Sequence, residues 1–171
     1  MQPVPYDQLS DLALLELCCW REARSESLQG ITAVANVVKN RTKTPAWYNG
    51  NIAGSYKAVI LAPSQFTSNI RPMFVSFNPN DPQHDLWPSD TDPSFILCTQ
   101  AAISVYTNRV LDNTAGAINY FDTSITWPSA WGPESNWVNT LNVGRLRFWR
   151  PKSIPAPPPT GVSAQDTVTV Q

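Results

Sequence analysis

Apolar residues between positions 9 and 41 follow a pattern that predicts two consecutive buried helices. The first apolar run predicts a helix from about Leu9 to Glu22 that is apolar on nearly every side and therefore buried. Apolar residues at helical spacing then predict a second helix that ends near Lys39 to Arg41, where basic side chains complement the helix dipole. Candidate caps are Ser10 and Asp11 for the first helix and Ser25 or Ser27 for the second.

A third helix is predicted from Pro93 to about Arg109, because Asp92 is a typical N-cap and proline suits the first helical position. The segment from Thr42 to Asp92 is irregular and rich in Pro, Asn, Ser and Gly, and only Tyr56 to Leu61 has a regular pattern. So long a loop-rich segment inside a compact domain is usually functional. We therefore expect it to form a lobe over one side of a groove.

The last part of the chain has less regular patterning. We expect a short extended segment at Ala117 to Phe121, a loop as far as Trp137, and a closing strand or loop at Val143 to Trp149. The five prolines that follow predict a polyproline-like linker and a flexible or partner-bound tail. The chain is thus interpreted as one domain at residues 1–150, followed by a tail at residues 151–171.

Composition narrows the class of ligand. A length of 171 residues suits one domain, and a net charge of −1 provides no electrostatic basis for binding nucleic acid. Charged residues make up only 15% of the chain, whereas aromatic residues reach 11% and include seven tryptophans. This balance suits a ligand that is bound by stacking and hydrogen bonds, as sugars are. The alternative is that most of these tryptophans pack in the core.

The cysteines and the single histidine do not suggest a metal site or a disulfide framework. Cys18, Cys19 and Cys98 are an odd set with no CxxC spacing, and we interpret them as reduced core residues. His84 lies in a Pro- and Asp-rich segment, so a metal role for it is not expected. The N-terminal segment has no basic region, and its apolar run contains Glu16 and is too short to span a bilayer. We expect neither an export signal nor a membrane anchor.

Four ordered blocks of sequence resemble the SleB/CwlJ cell-wall hydrolase family. Residues 20–41, WREARSESLQGITAVANVVKNR, resemble its opening signature, which is close to EARGE, a few residues, G-x-x-AV and NR. Val59-Ile60 with PSQFT at 63–67 resembles its VI...P.QFS segment, and DNTAGAINYF at 112–121 resembles DPT.GA..YF. Trp131 stands where the family has a tryptophan. Two departures are Ser25 in place of the usual glycine, and Gly144 to Phe148, which lacks the histidine of the closing G.H.F segment.

The resemblance implies a mainly α (α+β), lysozyme-like single domain that acts as a lytic transglycosylase on peptidoglycan, without a metal or cofactor. One glutamic acid protonates the β-1,4 bond between N-acetylmuramic acid and N-acetylglucosamine. As a carboxylate it then takes the proton of the C6 hydroxyl, which yields a 1,6-anhydro product. Glu22 matches the first glutamate of EARGE and is the expected acid, with Glu26 as the alternative. The expected substrate-binding residues are Gln65, Thr67, Asn119, Tyr120, Trp127 and Trp131.

Two roles are open for Glu26. If one helix continued through Glu22 and Glu26, their spacing would put both carboxylates on one face, as in a two-carboxylate glycosidase. Otherwise Glu26 is structural, accepting backbone N–H groups where the second helix starts or pairing with Arg24 or Arg41. A carboxyl group at the junction of two buried helices loses hydration, and lost hydration raises carboxyl pKa values in the way that a general acid requires.

The expected lack of an export signal favours a phage source for such a domain. The protein would be made in the host cytoplasm and would act on the cell wall or periplasm, either released through a holin pore or mounted on the virion. One alternative is a hydrolytic muramidase. Another is a non-catalytic virion-structural or wall-binding module whose tail, residues 151–171, binds a virion or another protein. An amidase or endopeptidase is disfavoured, because the usual zinc ligands and the catalytic Cys/His pair are missing.

Overall fold

Four helices and two small sheets make up the described part of the chain. The computed structural model describes residues 4–44, 54–62, 65–66, 74–76, 80 and 85–157, without the side chains of 74–76 and 85–86. In chain order the elements are β1 (Val4–Pro5), α1 (Asp11–Ala23), α2 (Leu28–Thr42), α3 (Tyr56–Ile60), β2 (Phe74–Ser76), β3 (Asp85–Leu86), α4 (Pro93–Tyr106), β4 (Asn119–Asp122), β5 (Trp137–Val143) and β6 (Leu146–Pro151), with one-turn 3₁₀ helices at Tyr6–Gln8, Ser129–Trp131 and Glu134–Asn136.

The long helices start where their capping residues predict. The Ser10 hydroxyl accepts a hydrogen bond from the backbone N–H of Ala13 at 3.1 Å, and Asp92 accepts one from Ser94 at 2.8 Å. Ser27, rather than Ser25, caps α2. Helix α4 ends at Tyr106, before the predicted Arg109, because the chain turns into the left-handed region at Asn108, where φ is 58°.

Helices α1, α2 and α4 pack against one another and form most of the hydrophobic core, with α3 against α1 and α2. The three cysteines are free and buried in this core, as the sequence predicts. Burial raises the pKa of each thiol, that of Cys98 to about 12. Among the most buried side chains are Leu14, Leu15, Ile31, Val34, Val37, Val38, Val59, Val105 and Phe148.

Strands β4, β5 and β6 form an antiparallel sheet in the order β4-β6-β5. Its middle strand β6 contributes Leu146 and Phe148 to the core. Strand β5 was not predicted, and its register with β6 shifts between Asn139 and Leu141. The second sheet is small: β1 pairs antiparallel with β2, and β2 pairs parallel with β3. The architecture is mainly α with a small antiparallel sheet, which confirms the predicted fold class.

The first residues of the predicted tail pack against the domain. Pro151 ends β6, and the guanidinium of Arg150 donates to the carbonyl of Ile154. Pro157 packs closely against the backbone of Gly116. A Cβ added at that glycine would lie only 2.9 Å from Cδ of the proline. The prediction for residues 158–171 lies outside the described residues. None of the described helices is long and apolar enough to cross a bilayer.

Candidate active site

A groove of about 500 Å³ lies where the ends of α1 and α2 meet strand β4. Glu22 is the next-to-last residue of α1, and Arg41 is the next-to-last residue of α2. Both side chains line the groove. Besides Glu22, four residues that the sequence predicted for the site also line the groove: Gln65, Asn119, Tyr120 and Trp131. The full lining among the described residues is Glu22, Arg41, Gln65, Phe66, Asn119, Tyr120, Ala130 and Trp131.

A short hydrogen bond in the groove joins Glu22 to Tyr120. The phenolic hydroxyl of Tyr120 donates a hydrogen bond to Oε2 of Glu22 at 2.7 Å. The Tyr120 ring lies between Phe66 and Phe148, with ring centroids 6.5 and 5.5 Å away. Burial, and secondly the charge of Glu22, raise the pKa of Tyr120 well above its ordinary value of 10. The hydroxyl therefore keeps its proton and remains a donor to the carboxylate at any neutral or mildly alkaline pH.

Arg41 is a buried cation in the groove wall that the sequence did not predict as a site residue. It is only 6% exposed. Its Nε donates to the carbonyl of Ile118 at 2.6 Å and its Nη2 donates to Oδ1 of Asn119 at 3.0 Å. The guanidinium also lies 4.6 Å from the ring centroid of Phe66. Burial lowers the pKa of Arg41 to about 10, opposed by Tyr120 and Glu22, so the group stays charged at neutral pH.

Glu26 lies away from the groove, beneath the turn that joins β5 to β6. Helix α1 ends at Ala23, so Glu22 and Glu26 do not share one helix face and the two-carboxylate arrangement is not formed. The Glu26 side chain is 9% exposed, and its Oε1 lies 3.9 Å from Nε of Arg145 rather than beside Arg24 or Arg41. Its Oε2 occupies the space where Gly144 would carry a Cβ. This packing gives Glu26 a structural position.

The tryptophans of the β4–β5 loop form one aromatic cluster, of which Trp131 reaches the groove. Trp127 is not among the described groove-lining residues; its ring contacts Trp131, Trp137, Trp149 and Phe121 at centroid distances of 5.4, 6.1, 5.0 and 6.0 Å. Two indole N–H groups tie the loop together: that of Trp127 donates to the Gly132 carbonyl at 2.7 Å, and that of Trp137 to the Trp131 carbonyl at 3.0 Å. The cluster therefore fixes Trp131 at the groove edge, while Trp127 packs within it.

The remaining predicted positions are only partly described. Gln65 lines the groove, whereas Thr67 and His84 lie outside the described residues. Within the described part of the chain, no group of three or more His, Cys, Asp or Glu side chains is placed to hold a metal ion.

Comparison with known proteins identifies relatives of this arrangement. Residues 25–149 match the family model described as Cell Wall Hydrolase. The catalytic domain of the Bacillus cereus SleB protein is 21% identical, with a TM-score of 0.57, over 82% of this chain and 89% of that chain. The catalytic domain of the germination-specific lytic transglycosylase SleB from Bacillus anthracis is 20% identical, with a TM-score of 0.58, over 84% of this chain and 98% of that chain. No curated protein matches the sequence.

The matched segment begins after Glu22 and contains every other residue of the groove wall. The selection of Glu22 as the candidate acid therefore depends on its place in the groove and on its hydrogen bond with Tyr120.

Proposed function

Because the chain belongs to the SleB/CwlJ-type cell wall hydrolase family, whose members degrade peptidoglycan, we propose that it is a lytic transglycosylase with Glu22 as its acid. The bond that it cleaves is the β-1,4 glycosidic bond between N-acetylmuramic acid and N-acetylglucosamine. One observation carries the proposal. Glu22 is the one carboxylate among the described groove-lining residues, and it is hydrogen-bonded to a partly buried tyrosine there.

The reaction needs one proton to be given and one to be taken back. Protonated Glu22 gives its proton to the glycosidic oxygen, the bond from that oxygen to C1 of the muramic acid breaks, and positive charge develops at C1. The Glu22 carboxylate then takes the proton of the C6 hydroxyl while that oxygen bonds to C1. The products are a free 4-hydroxyl on N-acetylglucosamine and a 1,6-anhydro ring, and Glu22 ends protonated as it began.

Tyr120 supports both states of the acid. Its hydroxyl donates to Oε2 of Glu22, so the transferable proton belongs on Oε1. When that proton leaves, the hydrogen bond becomes charge-assisted and stronger, which stabilises the new carboxylate. Tyr120 is thus assigned the role of holding the carboxyl group in one orientation throughout the cycle.

A hydrolytic muramidase is the alternative within the same class. Inverting hydrolysis uses a second carboxylate to activate water, and retaining hydrolysis commonly uses one as a nucleophile. Glu26 is packed against Gly144 and paired with Arg145, away from the groove. Only three carboxylate side chains, those of Asp81, Asp85 and Asp166, lie outside the described side chains. The described groove therefore favours the mechanism with one acid.

The test is mass spectrometry of the soluble products from purified peptidoglycan, digested by the wild-type protein and by Glu22→Gln. We expect anhydro-muropeptides, one water lighter than hydrolysis products, from the wild type and none from the variant. The matched control is Glu134→Gln, the same change at an exposed acid, which should digest like the wild type. Thermal melting of all three proteins separates loss of chemistry from loss of fold.

Each other result has a defined meaning. Reducing-end muropeptides from the wild type would replace transglycosylation by hydrolysis. Binding to cell walls without any soluble product would instead favour the non-catalytic wall-binding or virion-structural module. Full activity in Glu22→Gln would remove Glu22 as the acid.

The biological setting that we propose is degradation of a host cell wall by a phage. Its test is expression in a wall-bearing host with and without a holin, compared with addition of the purified protein from outside. Lysis from inside that requires the holin would support release, whereas clearing only from outside would support entry from the virion. Failure in both arms would contradict the setting without affecting the chemistry.

A further inference from the structure

The orientation of the Asn119 amide is determined by Arg41. A guanidinium has donors and no acceptor, so the atom of Asn119 that faces Nη2 of Arg41 must be its oxygen. Arg41 is itself held by its second bond, from Nε to the Ile118 carbonyl, and by the Phe66 ring. Arg41 is buried and Asn119 is 7% exposed, so neither group is free to turn in solvent. The NH₂ end of Asn119 therefore has one fixed direction relative to the groove.

We infer that Arg41 is a positioning residue that holds Asn119 so that its NH₂ group donates to the acetamido carbonyl of the sugar bound beside Glu22. This inference rests on the proposed function. An amide NH₂ carries two hydrogens, so one of them can serve the sugar while the other serves the protein. Asn119 and Glu22 both line the same groove, and the acetamido carbonyl is the strongest neutral acceptor on an amino sugar.

Such an arrangement predicts selectivity for N-acetylated sugars. A site that hydrogen-bonds a substrate group binds an analogue lacking that group more weakly. A sugar without the acetamido group would lose the hydrogen bond from the Asn119 NH₂ group, which lines the groove beside Glu22. Arg41 also prevents the amide from flipping to present its oxygen instead.

The experiment compares two neutral ligands in a protein that cannot cleave them. Chitotetraose and cellotetraose share a β-1,4 backbone, and the first carries acetamido groups where the second carries hydroxyls. Their dissociation constants are measured by calorimetry with Glu22→Gln and with Glu22→Gln plus Asn119→Asp. The aspartate keeps an oxygen for Arg41 and replaces the donor by an acceptor. We expect the preference for chitotetraose to fall about tenfold or more, as the loss of one hydrogen bond implies.

Two further variants complete the design. Asn142→Asp makes the same chemical change at an exposed position of β5, and its preference should equal that of the parent. Arg41→Lys keeps the charge, but one ammonium group lacks the planar fork that reaches Ile118 and Asn119 together. Its preference should fall while binding of cellotetraose stays unchanged, which a merely destabilised protein would not show.

Failure of this inference can be told from failure of the proposed function. If the wild type digests peptidoglycan but Asn119→Asp keeps the parental preference, the Asn119 assignment is overturned and the glycosidic chemistry stands. A parent that binds both tetrasaccharides equally would overturn it as well. If the wild type digests no glycan, the proposed function fails and this inference fails with it.

Discussion

At the scale of single residues, the main feature of the groove is the hydrogen bond that the Tyr120 hydroxyl donates to Glu22. Its 2.7 Å length and the raised pKa of Tyr120 make the tyrosine a permanent donor to one carboxylate oxygen. A carboxylate is the stronger acceptor, so the bond gains most when Glu22 has given its proton away. Tyr120 should therefore contribute to the rate more than to the fold.

Replacement of Tyr120 by Phe tests this contribution. The ring, packed between Phe66 and Phe148, is kept and only the hydroxyl is removed. A hydrogen bond to a charged group contributes about 1.5–3 kcal/mol, so we expect the digestion rate to fall by about ten- to a hundredfold. The measurement is the rate of release of soluble muropeptides, with melting curves beside it. Tyr106→Phe, at a tyrosine that is 39% exposed, is the control, and equal rates in the two variants would contradict the role of Tyr120.

The sequence predicted most of the site residues but not the contacts that arrange them. Glu22, Gln65, Asn119, Tyr120 and Trp131 were identified through four motif blocks, and all five line the groove. Arg41 was missed as a site residue because its partners lie 77 and 78 positions away, and a basic residue near a helix end has an ordinary local explanation. The Arg145 partner of Glu26 was missed for the same reason.

At the scale of elements, the sequence predicted features that depend on neighbouring residues, such as helix starts. It did not predict features that depend on the pairing of strands. The starts of α1, α2 and α4 depend on one capping side chain and on neighbours three positions away or closer, so they can be read from the sequence. Strand β5 depends on its partner β6, and the register shift near Asn139 breaks the alternation that would indicate a strand. Long-range pairing therefore decides the elements that the sequence did not predict.

The junction between α1 and α2 supports a prediction about Glu26. Its partner Arg145 is 67% exposed, so the ion pair contributes at most about 1 kcal/mol to the free energy of unfolding. Glu26→Gln keeps the shape of the side chain and should retain nearly all digestion activity, in contrast with Glu22→Gln. Product release and denaturant unfolding of the two variants check this. Loss of activity in a stable Glu26→Gln would restore the two-carboxylate mechanism.

A second prediction at this scale concerns Gly144, in the turn between β5 and β6. Gly144 has a φ of 54°, and a Cβ there would collide with Oε2 of Glu26. Gly144→Ala should therefore reduce the free energy of unfolding by about 1–3 kcal/mol from backbone strain, with a smaller further loss because the Glu26 carboxylate must move aside. The same change in a Glu26→Ala background separates the two causes, since the contact is then removed while the φ of residue 144 stays the same. If Gly144→Ala cost equal stability in both backgrounds in denaturant titrations, the contact with Glu26 would not matter.

At the scale of the whole molecule, the groove is assembled from the helical core and from the antiparallel sheet. Glu22 and Arg41 are held by α1 and α2, whereas Asn119 and Tyr120 are held by β4. The bonds from Arg41 to the 118–119 segment join the two parts within the groove wall. The packing of α1 in the core therefore helps to hold the Glu22 carboxyl group in place.

The buried thiols report whether α1 stays packed. Cys18 is one helical turn before Glu22, and it is buried in the same hydrophobic core as Cys19 and Cys98. Because burial also raises their pKa values, none of the three should react with a thiol reagent in the native protein, and all three should react in denaturant. Ser135→Cys, at an exposed position in the 3₁₀ helix Glu134–Asn136, provides a positive control with one thiol that should react quickly.

The rate of thiol labelling tests whether Glu22 is held in place by a stable helix. If the thiols are labelled only as fast as the whole protein unfolds, α1 opens only with the global transition and Glu22 is held by a rigid element. Labelling of Cys18 well below the denaturant midpoint would show that the last turns of α1 open locally. The Tyr120 bond, rather than the helix, would then have to keep the carboxyl group in place, and Tyr120→Phe should speed that labelling.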